Sequence, residues 1–256
     1  MVPPSLAPML RELNELGQLG LPRFLVQALA TGAFSGLIIG LFRIAYTTVS
    51  SFLCVFVSAA SFSTPLPIIL LFCILFCASF LSYCLLLFEP LISGSGIPQV
   101  ELMLAGKLPL MRWGRVLFAK FLGTLVSLSS GLSLGREGPC IQMGAAAGLG
   151  CGFLFRVTEQ GGVGRFLVGG ACAGMTAAFG APLAGLLFAF EEMKMVLRLP
   201  LFLFCALASF SAFIVVHSCL GLGLVFPFLH TSPLALGQLW LLPLLGLLSG
   251  LCGVAY

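Results

Sequence analysis

Three short breaks between apolar segments combine glycine with proline, a pairing that can build an anion site from backbone alone. They lie at residues 93–98, 135–139 and 179–182. In each break, small residues precede a proline that opens an apolar helix, where its missing N–H costs nothing. Glycine lets backbone approach a ligand closely, and a helix N-terminus offers free N–H donors and a positive potential. Several such ends converging within a membrane are expected to bind an anion without a formal positive charge.

The simpler interpretation of these breaks is three kinks or turns between packed helices. Irregular backbone at membrane depth must, however, be buried in protein or line a cavity. Three breaks within about 90 residues therefore favour a site.

Glu137 is the residue whose type and place suggest a gate. It lies between Arg136 and Gly138 at a predicted helix start, in an apolar neighbourhood. A carboxylate there can occupy the place of a transported anion, and protonation would remove its charge and let it swing away. The alternative is an exposed loop residue that pairs with Arg136.

A second acidic position, Glu191-Glu192, ends the apolar helix that begins at Pro182. The helix dipole disfavours negative charge at a C-terminus. One of the two carboxylates could relay protons from the cytoplasm. A solvated helix end with basic neighbours is the alternative.

The composition of the chain indicates which solvent surrounds these residues. Of 256 residues, 60% are hydrophobic and 8% are charged, with a mean hydropathy of +1.17. Soluble domains carry about 25% charged residues, so lipid must cover much of this chain. The net charge of +4 is spread along the chain and does not indicate a nucleic-acid partner. The ten cysteines lie mostly in apolar runs without C-x-x-C spacing, and we expect no metal site, disulfide or cofactor.

Apolar runs between the breaks predict an all-α, polytopic membrane protein with tilted and broken transmembrane helices. The predicted segments are residues 24–59, 68–88, 99–105, 116–132, 140–155, 166–178, 182–192, 199–220 and 236–256. Residues 1–22 are interpreted as a cytoplasmic N-terminal segment and residues 23–256 as the transmembrane domain. Small residues between residues 144 and 174 predict close helix contacts in lipid.

The order of the motifs resembles that of the CLC family of chloride channels and H⁺/Cl⁻ exchange transporters. The matching motifs are Gly94-Ser95-Gly96-Ile97-Pro98, Gly135-Arg136-Glu137-Gly138-Pro139 and Ala181-Pro182-Leu183-Ala184-Gly185, followed by Glu191-Glu192. The resemblance implies that Ser95 binds chloride through its hydroxyl, with Gly96, Ile97 and Gly138 beside it. It implies that Glu137 is the gating glutamate, and that Glu137 and Glu192 form the proton pathway. Glu192 favours an exchanger, because this position is usually apolar in the channel branch.

The resemblance covers only the first of the family's two inverted halves, so we expect a chain truncated before the second repeat. The second half would supply a G-x-F-x-P helix start and a tyrosine hydroxyl. The expected function is chloride transport as half of an H⁺/Cl⁻ antiporter in the cell membrane, in contact with lipid and homodimeric in the full-length form. The alternatives are a passive voltage-gated chloride channel and a non-transporting truncated fragment. An enzyme is not expected, since Ser129-Ser130-Gly131 and His217 form only a forced serine–histidine pair.

Overall fold

The structure is a computed structural model that describes residues 20–59, 65–132, 134–157, 160–193, 198–223, 225 and 236–255. Every regular element in these ranges is helical, which confirms the predicted fold class. The chain divides into one unit at residues 1–225 and a second at residues 226–256. Residues 1–19 and Tyr256 lie outside the described residues, so the cytoplasmic segment at residues 1–22 stays a prediction.

The first unit contains eight described α-helices joined by short breaks. They are α1 (Leu21–Ala59), α2 (Pro65–Phe88), α3 (Ile97–Leu104), α4 (Trp113–Ser129), α5 (Glu137–Leu154), α6 (Gln160–Phe179), α7 (Pro182–Glu192) and α8 (Leu199–Ile214). A 3₁₀ turn, Pro90–Ile92, precedes α3, and a π-helical turn, Val215–Cys219, continues α8. The second unit contains a 3₁₀ turn, Leu236–Gln238, and α9 (Leu241–Ala255).

Several helices begin before the predicted positions. Helix α5 starts at Glu137 rather than at residue 140, and α3 starts at Ile97 rather than at residue 99. Glycine and proline are tolerated in a first turn because its N–H groups have no partner within the helix. Glu137 is therefore a residue of the first helical turn and not of the preceding loop.

Four described helices are long and apolar enough to cross a membrane. They lie at Leu21–Ser58, Pro65–Phe88, Gly162–Phe179 and Leu199–Cys219. Helix α2 is apolar all round and only Leu85 on it is buried, so most of its surface is available to lipid. The chain is a multi-pass membrane protein.

Helices α5 and α6 form the centre of the first unit through what we call the glycine contact. It consists of Gly144 and Gly148 on α5 against Gly170 and Gly174 on α6. A Cβ at Gly148 would overlap the Phe166 carbonyl oxygen and lie 2.9 Å from the Gly170 Cα. The i, i+4 spacing of small residues thus brings the two backbones together, as predicted for close packing in lipid.

Helix α1 packs against this centre with small and polar residues. A Cβ at Gly32 would collide with the Ala208 backbone of α8, and one at Gly36 would lie 2.8 Å from the Ala212 Cα. Ser35 is fully buried, and its Oγ donates to the Gly144 carbonyl oxygen at 3.3 Å. These contacts fix α5, whose N-terminal end reaches the site described next.

Candidate anion-binding cavity

The segment before α3 holds Ser95 in a loop that only a glycine can close. Gly96 caps α3 with φ +93° and ψ −14°, a left-handed conformation that favours glycine. A Cβ at Gly96 would also overlap the side-chain oxygen of the buried Gln142. The Ile97 N–H donates to Ser95 Oγ at 3.4 Å, which is long for such a bond.

The start of α5 lies directly against this loop. A Cβ at Gly138 would lie 2.6 Å from Ser95 Cβ and 2.7 Å from the Ser95 carbonyl oxygen, so any larger residue would separate the two segments. The Glu137 carboxylate folds back over Gly135, because a Cβ there would collide with Glu137 Oε2. Glu137 is half-buried.

Arg136 does not pair with Glu137, which removes the alternative interpretation of Glu137 as a loop residue in such a pair. An ion pair joins Arg115 to Glu89, at 3.6 Å. The Arg136 guanidinium instead lies over the Phe179 ring, 5.2 Å from its centroid. This contact ties the start of α5 to the end of α6.

Ser95, Glu137 and Gly138 line one cavity of about 580 Å³. A water molecule takes up about 30 Å³ in the liquid, so the cavity has room for an ion with several waters. Its other polar side chains are Ser82, Ser93, Lys120, Thr124 and Ser127. The cavity therefore offers hydroxyl donors, one cation and one carboxylate.

The other residues predicted for the site do not line the cavity. Gly96 lies behind the cavity against Gln142, and Ile97 reaches it through the hydrogen bond of its N–H to Ser95 Oγ. Glu192 is exposed at the last turn of α7 and is not among the cavity residues. The third break, at Gly180, adopts φ +74° and also does not line the cavity. Two of the three breaks therefore converge.

Lys120 and Arg43 are buried cations that the motif-based reasoning missed. Lys120 is 3% exposed in the middle of α4, where its Nζ donates to the Ile92 and Gly94 carbonyl oxygens at 2.8 and 2.7 Å. Arg43 on α1 donates to the Ala177 and Gly223 carbonyl oxygens at 3.0 and 2.8 Å. A lone cation in an apolar run was the available signal, because such residues are rare in membrane helices and carry function or pair with backbone carbonyls.

Comparison with known families identifies the group to which the chain belongs. The family model described as "Voltage gated chloride channel" matches residues 74–256. The chain belongs to the voltage-gated chloride channel family. The CLC resemblance that the motifs predicted is thereby confirmed.

Curated members of the voltage-gated chloride channel family match part of the chain. The H⁺/Cl⁻ exchange transporter ClcA of Vibrio parahaemolyticus is 41% identical over 171 residues, covering 66% of this chain and 36% of that protein. ClcA of Yersinia pestis is 39% identical over 171 residues, with the same two shares. The chain thus spans about a third of the length of these relatives.

Solved structures agree with this assignment. A slow cyanobacterial Cl⁻/H⁺ antiporter superimposes with a TM-score of 0.75 at 32% identity, covering 91% of this chain and 55% of the antiporter. A eukaryotic CLC transporter superimposes with a TM-score of 0.65 at 24% identity, covering 76% of this chain and 38% of that one. The second match has the lower identity and supports only the assignment of the fold. The match to the antiporter covers nearly all of this chain and about half of the antiporter.

Proposed function

We propose that this chain supplies one side of a chloride pathway that exchanges chloride for protons. The observation that carries the proposal is the single cavity shared by Ser95, Glu137 and Lys120. Such a cavity joins an anion ligand, a titratable gate and a fixed cation. The relatives named as H⁺/Cl⁻ exchange transporters support the same reaction.

Ser95 binds chloride through its hydroxyl in this proposal. Its Oγ accepts a hydrogen bond from the Ile97 N–H, which leaves the hydroxyl hydrogen free to donate to an anion. The first N–H groups of α5 add donors at the same wall. Pro139 has no N–H, so Glu137 and Gly138 provide the free amides nearest Ser95. Gly96 and Ile97 hold the serine loop, Gly96 through its left-handed conformation and Ile97 through its N–H bond to Ser95 Oγ.

Glu137 acts as the gate because its carboxylate competes with chloride for the same positive end of α5. In the ionised form the side chain remains over Gly135 at the cavity wall. Protonation removes its charge and its attraction to the helix N-terminus, which frees the place for the anion. A proton and a chloride thus use the cavity alternately.

Glu192 is the second proton carrier in this proposal. Glu192 is exposed at the last turn of α7 and does not line the cavity. This placement separates proton entry from the chloride cavity. The two ions then share the path only near Glu137.

A homodimer in the full-length form is the proposed assembly. Helices α7 and α8 expose large apolar side chains, among them Leu183, Leu187, Leu203 and Phe210. Helix α2 exposes a comparable set, which we assign to lipid because it is apolar all round.

Flux measurements in liposomes test the proposed reaction. The protein expressed from its complete gene is reconstituted, and a chloride gradient is applied while chloride and external pH are recorded. We expect chloride movement to drive protons in the opposite direction. Chloride flux without proton movement would favour the passive channel and contradict exchange. The same assay on the 256-residue chain alone tests the alternative of a non-transporting fragment. This alternative arises because the chain covers only part of the length of its relatives.

A further inference from the structure

Four consecutive carbonyl oxygens next to the cavity accept hydrogen bonds from side chains. We call residues 91–94 the carbonyl segment. The backbone bonds of the preceding 3₁₀ turn run from Ile92 N–H to Glu89 O and from Ser93 N–H to Pro90 O. The next four carbonyl oxygens, those of residues 91–94, accept hydrogen bonds from side chains instead.

Three side chains from three different helices meet this need. Gln142 on α5 donates its Nε2 to Leu91 O at 2.8 Å, and Gln99 on α3 donates its Nε2 to Ser93 O at 2.8 Å. Lys120 on α4 donates its Nζ to the other two carbonyl oxygens of the segment, Ile92 O and Gly94 O. All four oxygens of the carbonyl segment are therefore occupied.

The direction of these carbonyls matters for an anion. In a trans peptide the C=O and the following N–H point in opposite directions, and every described peptide here is trans. Holding the carbonyls of residues 91–94 therefore also fixes the amides that follow them. Those of Ile92 and Ser93 donate within the 3₁₀ turn, and those of Gly94 and Ser95 are the ones available at the cavity. Residues 92–95 line the cavity. A carbonyl that turned into the cavity would repel an anion beside Ser95, whereas an amide there would attract it.

We propose that Lys120, Gln142 and Gln99 are positioning residues that keep the carbonyl segment from turning its oxygens toward the transported anion. This inference rests on the proposed chloride pathway and adds the device that sets the polarity of its serine loop. Lys120 also places its charge at the cavity wall, and two of its three N–H donors are occupied by carbonyl oxygens. Gln142 acts without charge, which makes it the cleaner residue to test.

The deciding variant is Gln142→Met, which removes one hydrogen bond and changes no charge. Gln142 is 0% exposed, and its Oε1 has no partner among the described residues, so the lost interaction is the bond to Leu91 O. In the protein expressed from its complete gene, we expect the chloride KM for flux to rise about fivefold, the value of one buried hydrogen bond, with the maximal rate less affected.

Gln27→Met is the matched control. Gln27 lies on α1, is 1% exposed, and is not among the cavity residues. The same chemical change at a similarly buried glutamine is expected to leave the chloride KM unchanged. Gln27 Nε2 has no hydrogen-bond partner among the described residues, so this variant controls for the change of side chain and not for the loss of a buried hydrogen bond.

Lys120→Met is expected to raise the chloride KM about 100-fold, because two charge-assisted bonds and the positive charge are lost together. Lys120→Arg retains the charge and is expected to recover part of this loss. If Lys120→Met does not fold, Gln142→Met still decides the matter. A chloride KM in Gln142→Met equal to that of the wild type and of Gln27→Met would overturn the inference while chloride transport itself stands. A wild-type protein that transports no chloride would instead overturn the proposed function.

Discussion

The cavity and the glycine contact are both built from small residues, but they use them in opposite ways. At the glycine contact, the absence of side chains lets α5 and α6 touch backbone to backbone and leaves no space. At the cavity, Gly138 allows one close approach, to Ser95, and the walls around it stay open, with polar groups set among apolar side chains. The cavity lies at the N-terminal end of α5, and the glycine contact lies further along the same helix. The contrast teaches that glycine in this chain either excludes a ligand or exposes backbone to one, depending on what lies opposite.

The largest effect should come from the cavity carboxylate. We expect Glu137→Ala to abolish proton coupling, because the titratable gate is gone while the glycine contact is untouched. Proteoliposomes with simultaneous chloride and pH recording measure this. Glu137→Gln, which keeps the size of the side chain without its charge, should behave in the same way. Coupled exchange that persists in both variants would rule out the gate.

Glu192→Val tests whether a carboxylate outside both regions belongs to the mechanism. We expect chloride flux to persist in part while proton pumping is lost, since only the proton path is interrupted. Glu191→Val is the matched control, as the neighbouring carboxylate is also exposed at the end of α7. Proton pumping at the wild-type rate in Glu192→Val would remove this residue from the pathway.

Gly148→Ala tests the glycine contact itself. The added Cβ would overlap the Phe166 carbonyl oxygen, and we expect a loss of about 1–3 kcal/mol in the free energy of unfolding from overpacking. Unfolding in detergent, followed by tryptophan fluorescence, measures the change.

Gly114→Ala provides the opposite control to Gly148→Ala. Gly114 lies on an exposed part of α4 with nothing within 4 Å of an added Cβ. Alanine there should stabilise the helix by about 0.5–1 kcal/mol through its higher helix propensity. Equal effects of the two substitutions would show that the contact between α5 and α6 does not depend on glycine.

Ser95→Ala tests whether the serine hydroxyl at the cavity is a chloride ligand. Removing one hydroxyl donor should lower chloride affinity about fivefold, the worth of about 1 kcal/mol, and leave folding unchanged. Isothermal titration with chloride measures it. Ser127→Ala is the control, because that hydroxyl also lines the cavity but lies 3.3 Å from Ser82 Oγ. Identical chloride affinities in both variants would argue against Ser95 as a ligand.

Much of the fold could be predicted from the pattern of apolar runs and breaks. The all-helical class and the order of the helices followed from the length of each run, because lipid demands that a spanning backbone satisfy its own hydrogen bonds. Helix starts were less certain: Gly138 and Pro139 look like a loop but form the first turn of α5. The π-helical turn at Val215–Cys219 had no sequence signal that we recognised.

Only those parts of the candidate site that lie within one short stretch of sequence could be predicted. Ser95 and Glu137 stand in motifs, so their chemistry was visible. Lys120 and Gln142 stand in helices, and their bonds to the carbonyl segment span 28 and 51 residues of sequence. The third break, at residues 179–182, was predicted to join the same site, but none of its residues lines the cavity.

The sequence by itself determined the solvent, the helical class, the glycine and proline breaks and the identity of the titratable groups, because these depend on composition and on neighbours along the chain. The tertiary structure decided which breaks meet, that Glu137 folds over Gly135 rather than pairing with Arg136, and that a lysine and two glutamines hold the loop of Ser95. These facts depend on distances between helices. Such distances are set by contacts between segments that are far apart in the chain, such as Gly138 against Ser95, and no local pattern specifies which segments meet.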